Sequence, residues 1–415
     1  MKSLSNGHDA PNAVQPECLA PVIRSQDYVL IVGGAGFIGS NLAHRLMEQG
    51  RRVLVFDSLA RAGVEQNLRW LQARHAGRLM VQIADIRDRR DVDDAVRHAS
   101  AVYHLGAQVA VTTSILDPVE DFEINAAGTL NLLEALRGQG KRIPLLFTST
   151  NKVYGDLQDV ALAQDATRYY PADPSICAQG IDETRSLAFH SPYGCSKGAA
   201  DQYALDYAHT YGMPATVFRM SCIYGVHQFG TEDQGWVAHF LRCALRGEPI
   251  TIYGDGKQVR DLLFIDDLID ALQLAHEQIE RTAGRAYNIG GGPDNAVSLL
   301  ELLALIEQLQ GAPVRYSFDS WRRGDQRYYV SNTHKFQQTT GWRAQVSVQE
   351  GLTKLYQWLL DLHAQDAGQL KELGTAAQPA AHYANGSSNA SGANDAAPLP
   401  KRHGLPAQKE RTYGD

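Results

Sequence analysis

The sequence predicts an α/β protein built on a doubly wound parallel sheet, with a smaller α/β lobe assembled from the later part of the chain. Three observations carry this. Apolar strand signals alternate with helix signals from Asp27 to Thr148; the first strand runs directly into a glycine turn and a helix; and beyond Thr148 the alternation loosens into long loops, helices and short strands.

Asp27 to Val32 is an apolar, β-branched run, the pattern of a strand covered on both faces. Gly33, Gly36 and Gly39 follow at G-x-x-G-x-x-G spacing, and Phe37, Ile38, Leu42, Leu46 and Met47 mark the apolar stripe of a helix that stops at Gly50. This is a variant of the dinucleotide fingerprint of Rossmann-type folds: one glycine for the tight turn, one for close approach to a pyrophosphate, one for helix-against-strand packing. The free N–H groups of the helix start can hold phosphate. A second strand, Arg52 to Phe56, ends in Asp57, where a carboxylate accepts hydrogen bonds from an adenosine ribose diol and repels a 2′-phosphate. NAD is therefore favoured over NADP, with Arg61 the nearby residue able to soften that preference.

The third strand, Leu79 to Ala84, is followed by Asp85-Ile86, suited to an adenine edge, and by a polar helix to His98. The fourth, Ala101 to Leu105, leads into Gly106, Ala107 and Gln108, where small residues let a cofactor lie against the backbone. A helix around Ile124 to Leu136 precedes the fifth strand, Ile143 to Thr148. Ligands of such sheets bind beyond the carboxyl ends of the strands, so the residues just after each strand are the candidates for contact. In the later part, Ser298 to Gln308 and Val348 to Leu362 read as helices, with turns at Gly254-Asp-Gly256 and Gly290 to Pro293.

At 415 residues the chain can bury a large core, and 44% hydrophobic with 20% charged residues is ordinary for a globular protein. The formal charge of -7 gives no reason to expect nucleic-acid binding. Five cysteines without a C-x-x-C pair argue against a disulfide framework and against a zinc site, and fit a reducing cytoplasm. No metal is expected. No run reaches the length of a membrane span, and no signal-peptide pattern opens the chain. The expected organisation is a flexible leader at 1–26, a mainly NAD-binding domain at 27–220, a mainly substrate-binding lobe at 221–365, and a low-complexity disordered tail at 374–415.

Ser191-Pro-Tyr-Gly-Cys-Ser-Lys197 opens a helix that runs through Tyr203, Tyr207 and Tyr211. Tyr193 and Lys197, four apart, share a face, and an ammonium beside a phenol favours the phenolate that a general base requires. Thr148-Ser149-Thr150 at the end of the fifth strand offers a hydroxyl to the substrate oxygen.

GGAGFIGS, TSTNKVYGD (148–156) and SPYGCSKGAADQY (191–203) resemble the extended short-chain dehydrogenase/reductase family, the NAD-dependent nucleotide-sugar epimerases and dehydratases; QFGTEDQGW (228–236), GDGKQVRD (254–261) and GDQR (324–327) add to the likeness. The resemblance covers about 27 to 365. It implies a catalytic set of Thr150, Tyr193 and Lys197, with Lys197 also on the nicotinamide ribose. Asn125 matches a family asparagine near the active site, and Arg260 and Arg327 match phosphate-binding arginines. Family dehydratases carry Asp-Glu after the threonine where this chain has Asn151-Lys152, which speaks against dehydration. Cys222 stands where the family's R-x-x-N-x-Y-G pattern has asparagine, and Gln234 and Trp236 are candidates for the sugar or base pocket. The implied activity is epimerisation by transient oxidation with a tightly bound, recycled NAD, in a homo-oligomer without nucleic-acid or membrane partners. Inversion at carbon 4 of a UDP-hexose, net oxidoreduction of a nucleotide sugar, and a non-catalytic NAD-sensing role are the alternatives.

Overall fold

The computed structural model describes residues 27–322 and 324–376, with side chains to Ala364. The expected leader, and all but the first residues of the expected tail, lie outside the described residues.

The main sheet has seven strands, all parallel. In spatial order they are Leu79–Ile83, Val53–Asp57, Tyr28–Val32, Ala99–His104, Leu145–Thr150, Ala215–Met220 and Arg285–Ile289. The first strand shows why the sheet must be covered twice. Val29 and Ile31 enter one core with Leu42 and Leu46 of the Phe37–Glu48 helix, while Tyr28, Leu30 and Val32 enter another with Leu132, Leu133 and Leu136. Alternating side chains thus feed two apolar layers, and only helices on both faces satisfy both.

Two boundaries differ from the sequence reading. The fifth strand is displaced two residues onward and ends at Thr150, so the candidate hydroxyl is the strand's last residue rather than a loop residue. A helix at Val64–His75, which the sequence reading leaves without an element, packs beside Phe37–Glu48. Its buried positions Asn67, Leu68, Leu71 and His75 are only half apolar, so its stripe is thin.

After Met220 the chain leaves the main sheet into a smaller one centred on Val259–Phe264, which pairs antiparallel with Ala296–Ser298 and parallel with Tyr328–Tyr329 and Cys222–Tyr224. The last main-sheet strand, Arg285–Ile289, comes from this later stretch. That return stitches the small sheet to the large one and sets Cys222 and Arg260 near the carboxyl ends of the main strands.

The Ser191–Tyr211 helix is fixed by a buried ion pair. Asp201 receives both Nε and an Nη of Arg219 at 2.9 Å, and Arg219 also donates to the Tyr154 hydroxyl at 3.2 Å, which in turn donates to Asn288 at 2.7 Å. Helix, fifth-strand end and the two last strands are thereby one polar cluster. Removing one partner of a buried pair strands the other charge, which costs about 3–5 kcal/mol. Asp201→Ala is expected to lower unfolding free energy by about that amount in a denaturant titration; a loss below about 1 kcal/mol, the worth of a surface pair, would contradict the anchoring role.

Candidate active site

A cavity of about 370 Å³ opens at the carboxyl ends of the first, fourth and fifth strands, walled on its far side by the small sheet and the 228–236 loop. Its lining includes Phe37, Ile38, Leu105, Ala107, Thr150, Tyr193 and Lys197 on the main-sheet side, and Asn151, Cys222, Gln234, Trp236 and Arg260 on the lobe side. Residues separated by more than two hundred positions therefore converge.

Tyr193 enters from the first turn of its helix. Ser191 before it takes φ 75°, a left-handed conformation costly for a residue with a side chain, and its Oγ accepts from Gly194 N at 3.2 Å. The Tyr193 amide donates to Ser114 Oγ at 3.2 Å. Burial pushes the Tyr193 phenol up to about 12; its hydrogen bond with Thr150 and the charge of Arg61 pull the other way, and Asp121 adds to the rise. The expectation that a neighbouring ammonium alone brings this phenol towards neutrality is not met. Lys197 is held over the Phe147 ring at 4.4 Å, and burial lowers it to about 7 against the opposing pull of Asp201 and Asp121. Desolvation therefore dominates both groups.

Behind the pair sits a closed network. Asn125 lies in a π-helical turn, Glu123–Ala127, of the kind often found at functional sites. Its Oδ1 accepts from Gln108 N at 2.9 Å, and its Nδ2 donates to Gln108 O, Asp121 and Ser196 Oγ at 3.0–3.1 Å. Gln108 turns its own amide to Asp121 and Ala110 O. Asn125 and the Gln108 side chain thus act on protein groups, fixing the loop after the fourth strand against the catalytic helix, and neither lines the cavity.

The glycine turn fits a dinucleotide. A Cβ on Gly33 would stand 2.6 Å from Gly106 N, and one on Gly39 would strike Gly33 O, so both are closed by backbone. At Gly36 it would meet only Gly33 O, at 3.2 Å, and no side chain caps the Phe37–Glu48 helix there. Its N-terminus is left open for a phosphate. Asp57 accepts from Ala35 N at 3.0 Å and Leu59 N at 2.9 Å, and burial outweighs these bonds to raise its carboxyl above the usual range. Asp85 is clasped by Arg87 at 2.6 Å, which holds it below the usual range, while Ile86 is packed on Gly128.

At the lobe end, charges are paired across the cavity wall. Arg260 donates to Asp325 Oδ1 at 2.7 Å and to Gln326 O at 2.6 Å. Lys152 Nζ lies 3.7 Å from the same carboxylate and donates to Gly324 O at 2.9 Å. Burial pushes the Asp325 carboxyl up, but Arg260 and Lys152 more than offset this and leave it below the usual range; burial also lowers Lys152. Arg322 stacks on Tyr253 at 3.7 Å and pairs with Glu232 and Asp233. Cys222 accepts from Trp236 Nε1 at 3.4 Å, and burial raises its thiol. Asn151 donates to Gln326 at 3.3 Å. Lys152, Arg322, Asp325 and Glu232 are wall residues that the sequence reading does not assign to the site. Arg327 is exposed, stacked on Tyr169 and Trp321 at about 5.5 Å, and does not line the cavity. The buried Gln326 before it points inward, so strand alternation turns Arg327 out.

Residues 29–290 match the NAD dependent epimerase/dehydratase family. The chain is 44% identical over 337 residues to a CDP-paratose 2-epimerase of Salmonella typhi, covering 80% of this chain and 98% of that protein. It is 32% identical over 358 residues to a dTDP-glucose 4,6-dehydratase of Neisseria meningitidis serogroup B, covering 80% and 93%. Among solved structures, Thermus thermophilus UDP-glucose 4-epimerase in complex with NAD superposes with a TM-score of 0.68 at 31% identity, covering 80% of this chain and 98% of that one. Fold, glycine turn and sequence likeness over most of the chain agree: the chain belongs to the NAD dependent epimerase/dehydratase family.

Proposed function

We propose that the chain is a nucleotide-sugar epimerase of the CDP-paratose 2-epimerase type, inverting carbon 2 of a CDP-linked 3,6-dideoxyhexose by transient oxidation. The observation that carries the reaction type is the cavity wall itself. It brings Thr150, Tyr193 and Lys197 together and has an amide and an ammonium, Asn151 and Lys152, where the family's dehydratases have two carboxylates. The sugar and its base rest on the likeness to the Salmonella typhi enzyme.

In this reading the Gly33–Gly39 turn and the helix behind it hold the dinucleotide pyrophosphate, Asp57 the adenosine ribose and Lys197 the second ribose. NAD bound there supplies the hydride acceptor and donor, and its cationic ring adds the positive charge that Tyr193 needs. Thr150 donates a hydrogen bond to the sugar oxygen. Tyr193, as phenolate, takes the hydroxyl proton and later returns it, so the protein ends each turnover in its starting protonation state. A phenol held near 12 by burial makes a poor base unaided; positive charge in the pocket is what brings it into use.

Arg260 and Arg322 hold the substrate pyrophosphate, with Lys152 between them and the sugar. Each is already paired with a carboxylate, Asp325, Glu232 or Asp233, so binding exchanges one anion for another and no buried cation is left alone. The anchored nucleotide lets the oxidised sugar turn and present its other face. Because no net redox change results, the cofactor stays bound between turnovers.

A homo-oligomer is supported by an apolar patch. Ile115, Leu116, Val119 and Phe122 are exposed on the short helices Val111–Leu116 and Pro118–Phe122, which lie against the catalytic helix bearing exposed Tyr203 and Tyr211. Sedimentation is expected to give at least a dimer, and a monomer at micromolar concentration would contradict this. The unpaired thiols of Cys177, Cys195, Cys222 and Cys243 suit a cytoplasmic location, and no described helix is long and apolar enough to cross a membrane.

The test is a panel of CDP-, UDP-, GDP- and dTDP-sugars with NMR readout of the inverted centre. Carbon-2 inversion of CDP-paratose is expected, and inversion only at carbon 4 of UDP-glucose would refute the assignment. In the same assay Tyr193→Phe should lower turnover by at least about 100-fold while NAD binding persists; near-normal turnover would remove Tyr193 from the base role.

A further inference from the structure

A second group of ligating side chains lies outside the cavity, where two twelve-residue helices meet. His44 and Glu48 are four apart on Phe37–Glu48 and share a face; His75 closes Val64–His75 and meets both. His44 Nδ1 and His75 Nε2 are 2.8 Å apart, Glu48 Oε1 is 3.7 Å from His75 Nε2, and the three ligand atoms all lie within 4.8 Å of one another. Donors about 2.0–2.1 Å from a tetrahedral ion are separated by about 3.3–3.5 Å, so small side-chain adjustments bring these three around one centre.

The surroundings favour that use. His75 is buried, His44 half-buried and Glu48 exposed, which leaves the fourth position open to water on the solvent side. Trp70 stacks against His44 and His227 and packs one wall of the group. Burial holds both imidazoles below their ordinary range, the neutral form a metal requires. Glu48 and His75 are the last residues of their helices, so two carboxyl-terminal dipole ends point negative charge at the same place. Arg74 and Arg78 oppose a cation there, and Arg45 is already paired with Asp266 and Asp270.

We infer that His44, Glu48 and His75 form a zinc-type metal site that pins the pyrophosphate-facing helix to its neighbour. Two imidazoles and one carboxylate suit Zn²⁺ or a similar late first-row ion, whereas Mg²⁺ and Ca²⁺ prefer all-oxygen shells. The cysteine pattern excludes only a thiolate zinc site and leaves this one possible. Its role is to stiffen the helix pair, and it touches no reacting atom.

The test uses the full chain, stripped with chelator and titrated calorimetrically with Zn²⁺ alone, beside His44→Gln, His75→Gln and Glu48→Gln. One Zn²⁺ per chain is expected, with a raised unfolding temperature. Loss of even an outer-shell partner typically costs about 10–100-fold in metal affinity, so each variant should bind at least about tenfold more weakly. Co²⁺ should give tetrahedral visible absorption in the wild type and not in the variants. Glu48 is exposed, so Glu48→Gln is expected to fold even if His75→Gln does not, and circular dichroism checks this. Absence of stoichiometric Zn²⁺ binding, or equal binding by wild type and folded Glu48→Gln, would overturn the site.

Discussion

The cofactor edge of this protein depends on how closely two backbone turns approach. A side chain on Gly33 would collide with Gly106, and one on Gly106 would stand 3.0 Å from Val32 Cγ1, so the ends of the first and fourth strands can meet only because both positions lack Cβ. That approach sets the glycine turn beside Leu105 and Ala107 and brings the start of the Phe37–Glu48 helix to the cavity rim. Everything proposed for the dinucleotide follows from it. The second constraint is the Asn125 network, which holds the loop after the fourth strand and the catalytic helix to one another through Gln108, Asp121 and Ser196.

Electrostatics in the cavity are governed by burial. Tyr193 is pushed up and Lys197 down, so neither charged form is favoured by the protein alone. Such a pair is costly to keep and useful only if another charge completes it, which is what a cationic nicotinamide provides. The lobe end follows the opposite principle. Arg260, Lys152 and Arg322 are each supplied with a carboxylate in advance, so cations are stored near the sugar without a large penalty until an anionic substrate displaces those partners.

Local features of the site were legible in the sequence, and long-range ones were not. The glycine turn and the Tyr193–Lys197 pair are spacing motifs within single elements, and the structure sets Tyr193 and Lys197 in one cavity wall. The strand order follows from βα alternation, although the fifth strand ends later than its apolar run suggests because Thr148, Ser149 and Thr150 continue the pairing with Phe218, Arg219 and Met220. Asp325 and Arg322 carry no local signature: they reach the wall through the loop before Tyr328, and only the assembled small sheet shows it. Arg327 and Arg322 are close in sequence, yet the inward Gln326 decides which of them faces out. Asn125 reads as a cofactor contact by resemblance, whereas its carbonyl and amide are engaged by Gln108, Asp121 and Ser196.

The central claim is that inversion proceeds by lending and recovering one hydride inside a closed site. Turnover of CDP-paratose in deuterated water tests it most directly, with NMR at carbon 2 of the product. A hydride returned from the retained cofactor keeps protium at that carbon, so the account predicts an inverted centre free of solvent deuterium; deuterium there would mean removal and return of a proton, and would contradict it.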